Sequence, residues 1–262
     1  MPAVTRWARF RTPAGATGFG VLDGDRLLVH EGDLFAANRA VGTTLAGGDY
    51  ALLPPCQPSK IVALWNNFHA LGAKLGKAAP THPLFLLKPS TAVIGPHAEI
   101  RRPASFRGRI LFEGELGIVI GRVCKDASPA DAAAAIFGYT CCNDVTAAEV
   151  LTENADFTQW CRAKSYDTFG SIGPVIAAGL DPAGVSVCTL LDGTERQRYP
   201  VSDMIMAPAT LVSLLSQDMT LLPGDVIACG TSLGVGSIKE GSTVEVRIDG
   251  IGSLVNTLRD HA

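Results

Sequence analysis

Glu113 and Glu115 stand one residue apart and lead straight into the apolar run Leu116-Gly-Ile-Val-Ile120. A third acid, Asp144, closes a second apolar run, Ile136-Phe-Gly-Tyr-Thr-Cys-Cys-Asn143. In an extended chain, residues i and i+2 project from the same face about 6–7 Å apart, so the two glutamates can turn toward one point. Carboxylates leading into buried strands need a partner, because an uncompensated buried charge is very costly. Three hard oxygen donors completed by water suit Mg²⁺ or Mn²⁺ better than Zn²⁺, which prefers histidine and cysteine. The same E-x-E spacing is also what a solvated strand face carries, and spacing by itself leaves both readings open.

The elements that must position these acids are mostly strands. Short β-branched and apolar runs bounded by glycine or proline recur at 84–87, 116–121, 175–178, 185–191, 225–229 and 243–248. Helical patterns are fewer. One covers 128–136, with Ser128 as cap and Pro129 at its first position, and another covers 208–217. Residues 7–51 read as short strands joined by Gly and Asp-Gly turns, with a short helix near 34–39. Pro54, Pro55 and Pro58 then punctuate the chain, since proline fixes φ and restricts the residue before it. The expected organisation is a small N-terminal β-rich domain over residues 1–57 and a larger domain over 58–262. Scattered helices among runs of strands predict an α+β, mostly β architecture rather than a regular βαβ alternation.

Composition narrows the function classes. The chain has 262 residues, 47% hydrophobic and 18% charged, which suits a folded protein with a large core. Its formal charge of -3 and the lack of a Lys/Arg run argue against a nucleic-acid partner. No apolar stretch reaches the length of a membrane span, and the N-terminus has no signal-like apolar region, so a cytoplasmic location is expected. Seven cysteines, an odd count without C-x-x-C spacing, point to a reduced compartment. Cys56, Cys124, Cys161, Cys188 and Cys229 are most simply small core fillers.

Five segments in order resemble the fumarylacetoacetate hydrolase family. They are Phe-Leu-Leu-Lys88-Pro-Ser-Thr, Glu113-Gly-Glu115-Leu-Gly-Ile-Val-Ile-Gly, Gly138-Tyr-Thr-Cys-Cys-Asn-Asp144-Val-Thr-Ala, Ala163-Lys164-Ser-Tyr-Asp167-Thr-Phe and Leu222-Pro-Gly-Asp-Val-Ile-Ala-Cys-Gly-Thr231-Ser-Leu-Gly-Val-Gly. The resemblance runs from about Lys60 to Leu258. It implies a mixed β-roll catalytic domain, usually in a homodimer, with Mg²⁺ or Mn²⁺ held by Glu113, Glu115 and Asp144. It further implies a small oxo-acid substrate, a 2-oxo or 2,4-dioxo carboxylate that is hydrolysed at a C–C bond, decarboxylated, isomerised or hydrated. All these reactions build an enolate next to a carboxylate, where a divalent cation stabilises the developing charge.

By the same resemblance Lys164 points toward the substrate, with Asp167 in its motif. Lys88 either orients the anion or sits in a structural ion pair. Gly230 and Thr231 open a glycine-rich turn whose N–H groups and hydroxyl would receive a carboxylate as a nest. Family members usually have proline where this chain has Ser232. A larger departure lies upstream. The hydrolase branch carries N-Y-x-x-H and a glutamate three residues later, whereas this chain has Asn67-Phe68 followed by Leu71 and Lys74 at those positions. His69, two residues early, is a candidate displaced base. His30, His82, His97 and His261 stand in no recognisable pattern. The reading is therefore a metal-dependent C–C hydrolase of an acylpyruvate type. A decarboxylase or isomerase of aromatic catabolism, to which Leu64-Trp-Asn-Asn67 is similar, is the alternative within the enzyme class. A binding protein that keeps the oxo-acid site without turnover is the alternative outside it.

Overall fold

The computed structural model describes residues 4–260, so His261 lies outside it. Among these residues a twelve-stranded mixed sheet dominates, with a five-stranded and a three-stranded sheet beside it. Six strands of the large sheet lie side by side in the order Gly170–Ala178, Ile136–Asp144, Gly114–Ile120, Val226–Ala228, Lys60–Trp65 and Leu84–Pro89. The sheet then curls on itself. Beyond the three residues Ser90–Ala92 that follow Pro89, the short strand Val93–Ile94 pairs in parallel with Gly170–Ser171 at the opposite end of that order. A Cβ placed on Gly170 would sit 3.0 Å from Ile61 Cδ1, so opposite walls of the roll touch.

The roll encloses one apolar cluster, including Ile61, Ala63, Leu86, Val119, Cys142, Ile172 and Ala228. Its outer face buries a larger cluster in which Leu116 and Ile118 meet Val187, Val246 and Leu254 of the five-stranded sheet. Strands buried on both faces must be continuously apolar, which is why Gly114–Ile120 is buried throughout and reads as a run, not an alternation. Glu115 pairs with Cys142 across the ladder. Paired residues share a face, so Glu115, Cys142 and, two residues on, Asp144 all point into the roll.

The strands Thr5–Arg11, Thr17–Asp23, Arg26–Gly32 and Asn38–Leu45 form an antiparallel meander. It extends the large sheet, because Thr5, Arg6 and Trp7 pair with Ala178, Ala177 and Ile176. The helix expected near 34–39 is a hairpin loop instead: Gly32 pairs with Asn38, and Asp33 Oδ1 accepts from Phe35 N at 2.9 Å. Local Asx chemistry and the closing strand pairs outweigh the helix propensity of Leu-Phe-Ala-Ala. Helices do form over Pro129–Ala135, capped by the Ser128 side chain, and over Pro208–Asp218. Six of the seven cysteines are buried; Cys161 is exposed, which corrects its reading as core filler. It lies on the outward side of a single helical turn, Trp160–Lys164, whose inward side carries the buried Ala163 and Lys164. No described helix is long and apolar enough to cross a membrane.

Candidate functional site

Three strand ends supply the acids. Glu113 lies in the one-residue gap between the strands Ile110–Phe112 and Gly114–Ile120, Glu115 is the second residue of the latter, and Asp144 ends Ile136–Asp144. One carboxylate oxygen from each falls within 4.8 Å of the others. Glu115 is 0% exposed and Asp144 2%, while the Glu113 side chain, at 16%, is the most exposed of the three.

Two lysines answer the three charges. Lys164 Nζ lies 2.6 Å from Asp144 Oδ2 and 2.9 Å from Glu113 Oε1, bridging the pair. Lys88, 1% exposed, donates to Asp144 Oδ1 and, at 3.3 Å, to Val145 O. Glu113 Oε1 also accepts from Thr146 Oγ1 at 2.6 Å. Among the described residues Glu115 has no ammonium partner. Its Oε2 accepts from Gly230 N at 2.8 Å, and its Oε1 is buried with no hydrogen-bond partner among them.

The electrostatics follow this division. Burial, then the Asp144 and Glu113 charges, push the Glu115 carboxyl well above the usual carboxylate range. Burial also works against an ionised Asp144, but Lys164 and then Lys88 outweigh it and hold its pKa low. At Lys164 burial opposes the ammonium, yet Asp144, Glu113 and Glu115 together raise its pKa. Lys88 is lowered, chiefly by burial. The cluster thus carries one more carboxylate than ammonium, and the unmatched one is the one with the orphan oxygen. A divalent cation fits there: the donors are all hard oxygens, they converge, and Glu115 Oε1 is an acceptor with no other partner.

Several side chains the sequence reading passed over hold the acids in place. Gly114, between the glutamates, donates its N–H to Gln197 Oε1 at 3.1 Å, and its carbonyl accepts from Tyr199 Oη at 2.6 Å and Thr231 Oγ1 at 3.0 Å. A Cβ at Gly114 would lie 1.9 Å from Thr189 Oγ1, so the position requires glycine. Gln197 Nε2 in turn donates to Thr231 Oγ1 at 2.9 Å. Asn67 ties neighbouring segments together, donating to Cys229 O at 3.0 Å and accepting from Met206 N at 3.0 Å. Gln197 and Tyr199 sit on Thr194–Pro200, whose charged sequence hides a strand; the only hint was the alternation of Gln197 and Tyr199 with arginines.

The turn after Val226–Ala228 is organised differently from a simple anion nest. Gly230, at φ +91°, gives its N–H to Glu115, not to open space. The Thr231 hydroxyl proton is engaged by Gly114 O while its oxygen accepts from Gln197. Ser232 is buried, and its hydroxyl is without a partner. His69 opens the helix His69–Leu75 on an exposed position, outside the hydrogen-bonded cluster. Asp167 is likewise exposed and makes no side-chain hydrogen bond or ion pair among the described residues; it follows Lys164 in sequence but faces solvent.

The Gln197 amide bridges the E-x-E backbone and the Thr231 turn. Gln197→Leu is expected to weaken divalent-cation binding about 10–100-fold, as loss of a supporting hydrogen bond does at metal sites. Titration with Mn²⁺ measures it, and an unchanged affinity would show that the turn holds its own shape.

Residues 60–259 match the family model described as fumarylacetoacetate (FAA) hydrolase, C-terminal. The chain belongs to the fumarylacetoacetate hydrolase family. A second model, Rv2993c-like, N-terminal, matches residues 5–55. Among relatives of this family member, protein Rv2993c of Mycobacterium tuberculosis is 44% identical over 211 residues, 79% of this chain and 78% of that one. The crystal structure of 2-hydroxyhepta-2,4-diene-1,7-dioate isomerase from Mycobacterium marinum is 37% identical, with a TM-score of 0.89 and coverage of 98% of this chain and 99% of the other. Maleylpyruvate hydrolase from Sphingobium sp. SYK-6, in complex with manganese(II) and pyruvate, is 25% identical, with a TM-score of 0.78, covering 98% of this chain and 100% of that one. The family thus includes hydrolases and isomerases, and at least one relative holds a divalent metal.

Proposed function

We propose that this protein is a divalent-metal-dependent enzyme acting on a 2-oxo carboxylate that carries a 4-oxo group, a 4-carboxylate or a conjugated double bond, by way of an enolate. The observation that carries the reading is the converging Glu113, Glu115 and Asp144 with the buried, unpartnered Glu115 Oε1. Mg²⁺ or Mn²⁺, when bound by these three residues, supplies positive charge to the oxygen on which an enolate develops. With two lysines and three carboxylates around it, such a centre has one positive charge in excess. A small carboxylate substrate balances it. Lys164 is the chain's own contact to that substrate, because it reaches Glu113 on the open side, whereas Lys88 is enclosed and orients Asp144.

Hydrolysis of an acylpyruvate C–C bond needs a base that positions water, and the two positions of the usual His–Glu pair hold Leu71 and Lys74. His69 is exposed and has no hydrogen-bonded acid among the described residues to orient it. That favours outcomes in which the enolate is simply reprotonated: isomerisation of an unsaturated 2-oxo dicarboxylate, or decarboxylation of oxaloacetate. The isomerase name of the Mycobacterium marinum relative supports this order. Acylpyruvate hydrolysis is the second reading, supported by the maleylpyruvate hydrolase among the relatives.

The test is a screen of acylpyruvates, oxaloacetate and unsaturated 2-oxo dicarboxylates with Mg²⁺ or Mn²⁺, following enol absorbance, pyruvate and CO₂. Metal-dependent turnover with CO₂, or with an absorbance change and neither product, is expected. Pyruvate without CO₂ from an acylpyruvate would establish hydrolysis instead. If oxalate binds with metal while every substrate stays unconsumed, the protein is a binding member of the family. His69→Ala is expected to leave kcat within about threefold, since a positioned base contributes roughly 10²–10⁴; a loss in that larger range would identify the imidazole as the base.

A further inference from the structure

A second concave site lies away from the carboxylates, where the N-terminal meander meets the roll. It is a cleft of about 470 Å³ whose polar lining is Arg9, Arg11, Thr17, Gln57 and Ser90, and no carboxylate among the described residues lines it. Arg9 and Arg11 alternate along Thr5–Arg11, so both guanidiniums leave the same face of that strand, and Thr17 is the cross-strand partner of Arg11.

Arg9 is exceptional among the protein's cations. Three arginines are half-buried: Arg6, Arg9 and Arg102. Arg6 has Asp23 at 3.7 Å and Arg102 has Asp260 at 2.5 Å. The buried or half-buried lysines, Lys60, Lys88 and Lys164, also each have a carboxylate. Among the described residues Arg9 has none; its one partner there is the Pro54 carbonyl, 3.0 Å from Nη1. A guanidinium offers five N–H donors, so most of them remain for something else. Burial accordingly pulls the Arg9 pKa below the ordinary arginine range. The neighbouring Cys56 thiol supplies no counter-charge, because burial pushes it up to about 12. Asp33 lines an adjoining groove, but one of its oxygens is taken by Phe35 N and it makes no ion pair with Arg9.

We infer that this cleft is a binding site for a small oxyanion, a carboxylate or a phosphate group, held by Arg9 and Arg11 with Thr17, Gln57 and Ser90 as neutral partners. Planar guanidiniums pair in bidentate fashion with either group, which is why the two sources share one chemistry. The placement gives the site a consequence. Ser90 follows directly on the strand that carries Lys88, so an anion here ties the N-terminal strands to the segment that orients Asp144.

The test is calorimetric titration of the full Mg²⁺-loaded chain with inorganic phosphate and, separately, with succinate. Saturable binding of at least one, with a Kd near or below about 1 mM, is expected. Binding of only one anion assigns the source; binding of both defines a general oxyanion site. Arg11→Ala, at an exposed position, should weaken it about tenfold or more, and Arg9→Gln, which keeps a donor for Pro54 O, should do the same. Mn²⁺ affinity should be unchanged in both variants, which separates this cleft from the metal centre. The proposal fails if neither anion saturates below about 100 mM, where general screening takes over, or if binding is indifferent to Arg11→Ala.

Discussion

Glu115→Gln is expected to make the metal-free protein more stable while abolishing its response to divalent cations. Glu115 is 0% exposed, and its Oε1 has no partner. Without a cation the protein must either protonate it or keep a buried carboxylate beside Glu113 and Asp144. A neutral amide of the same shape removes that penalty, which for a buried ion is on the order of several kcal/mol. In a chain of this size each kcal/mol raises Tm by about 2–4 °C. The same substitution removes a hard anionic donor from the three that converge, so Mn²⁺ affinity should fall more than the roughly 10–100-fold typical of supporting residues. Thermal melts in chelator and in Mn²⁺ read both effects. Wild type should gain stability on metal addition and Glu115→Gln should not. A variant that melts lower than wild type in chelator, or still gains from Mn²⁺, would show that Glu115 is paired in some other way.

Lys164→Met should behave in the opposite sense. The ammonium bridges Asp144 Oδ2 and Glu113 Oε1, so its removal leaves two carboxylates facing each other with only Lys88 nearby. Breaking a buried pair by deleting one partner costs about 3–5 kcal/mol. The metal-free variant should melt well below wild type, and Mn²⁺ should restore more stability than it adds to wild type, because the cation then offsets a larger negative charge. Turnover should fall about 10²–10⁴-fold even at saturating metal if Lys164 stabilises or protonates the developing enolate. Combining Glu115→Gln with Lys164→Met should recover part of the lost metal-free stability, since the two groups share one charge balance and their effects do not add. A Lys164→Met protein with wild-type turnover would reduce the lysine to a structural counter-ion.

Much of the acidic cluster was legible before any fold was known. E-x-E needs only the two-residue period of an extended chain to place both acids on one face, and the apolar runs beside Glu115 and Asp144 marked strands too buried to hold unpaired charge. Capped and turn-bounded elements were legible for the same local reason, as Ser128-Pro129 shows. Local signals that compete with pairing mislead or hide an element: Leu34–Arg39 has helical residues but closes a hairpin, and the solvent-facing composition of Thr194–Pro200 conceals a strand that carries Gln197 and Tyr199 into the site.

The sequence by itself determined which residue types assemble around the site: three hard-oxygen acids, the lysines and a glycine that leaves room between the glutamates. Only the tertiary structure decided how the charges are shared. Lys88 and Glu115 stand at opposite ends of their strands, and they enter one cluster because the sheet rolls until Val93–Ile94 meets Gly170–Ser171. That closure gives both lysines to Asp144, one of them also to Glu113, and leaves Glu115 without one. It also engages Gly230 and Thr231 in holding the acids, although their local sequence suggests an open anion nest. Spacing along a chain fixes which face a side chain takes; which opposite charge it meets depends on strands distant in sequence, and that partner sets whether a buried carboxylate is satisfied or awaits a cation.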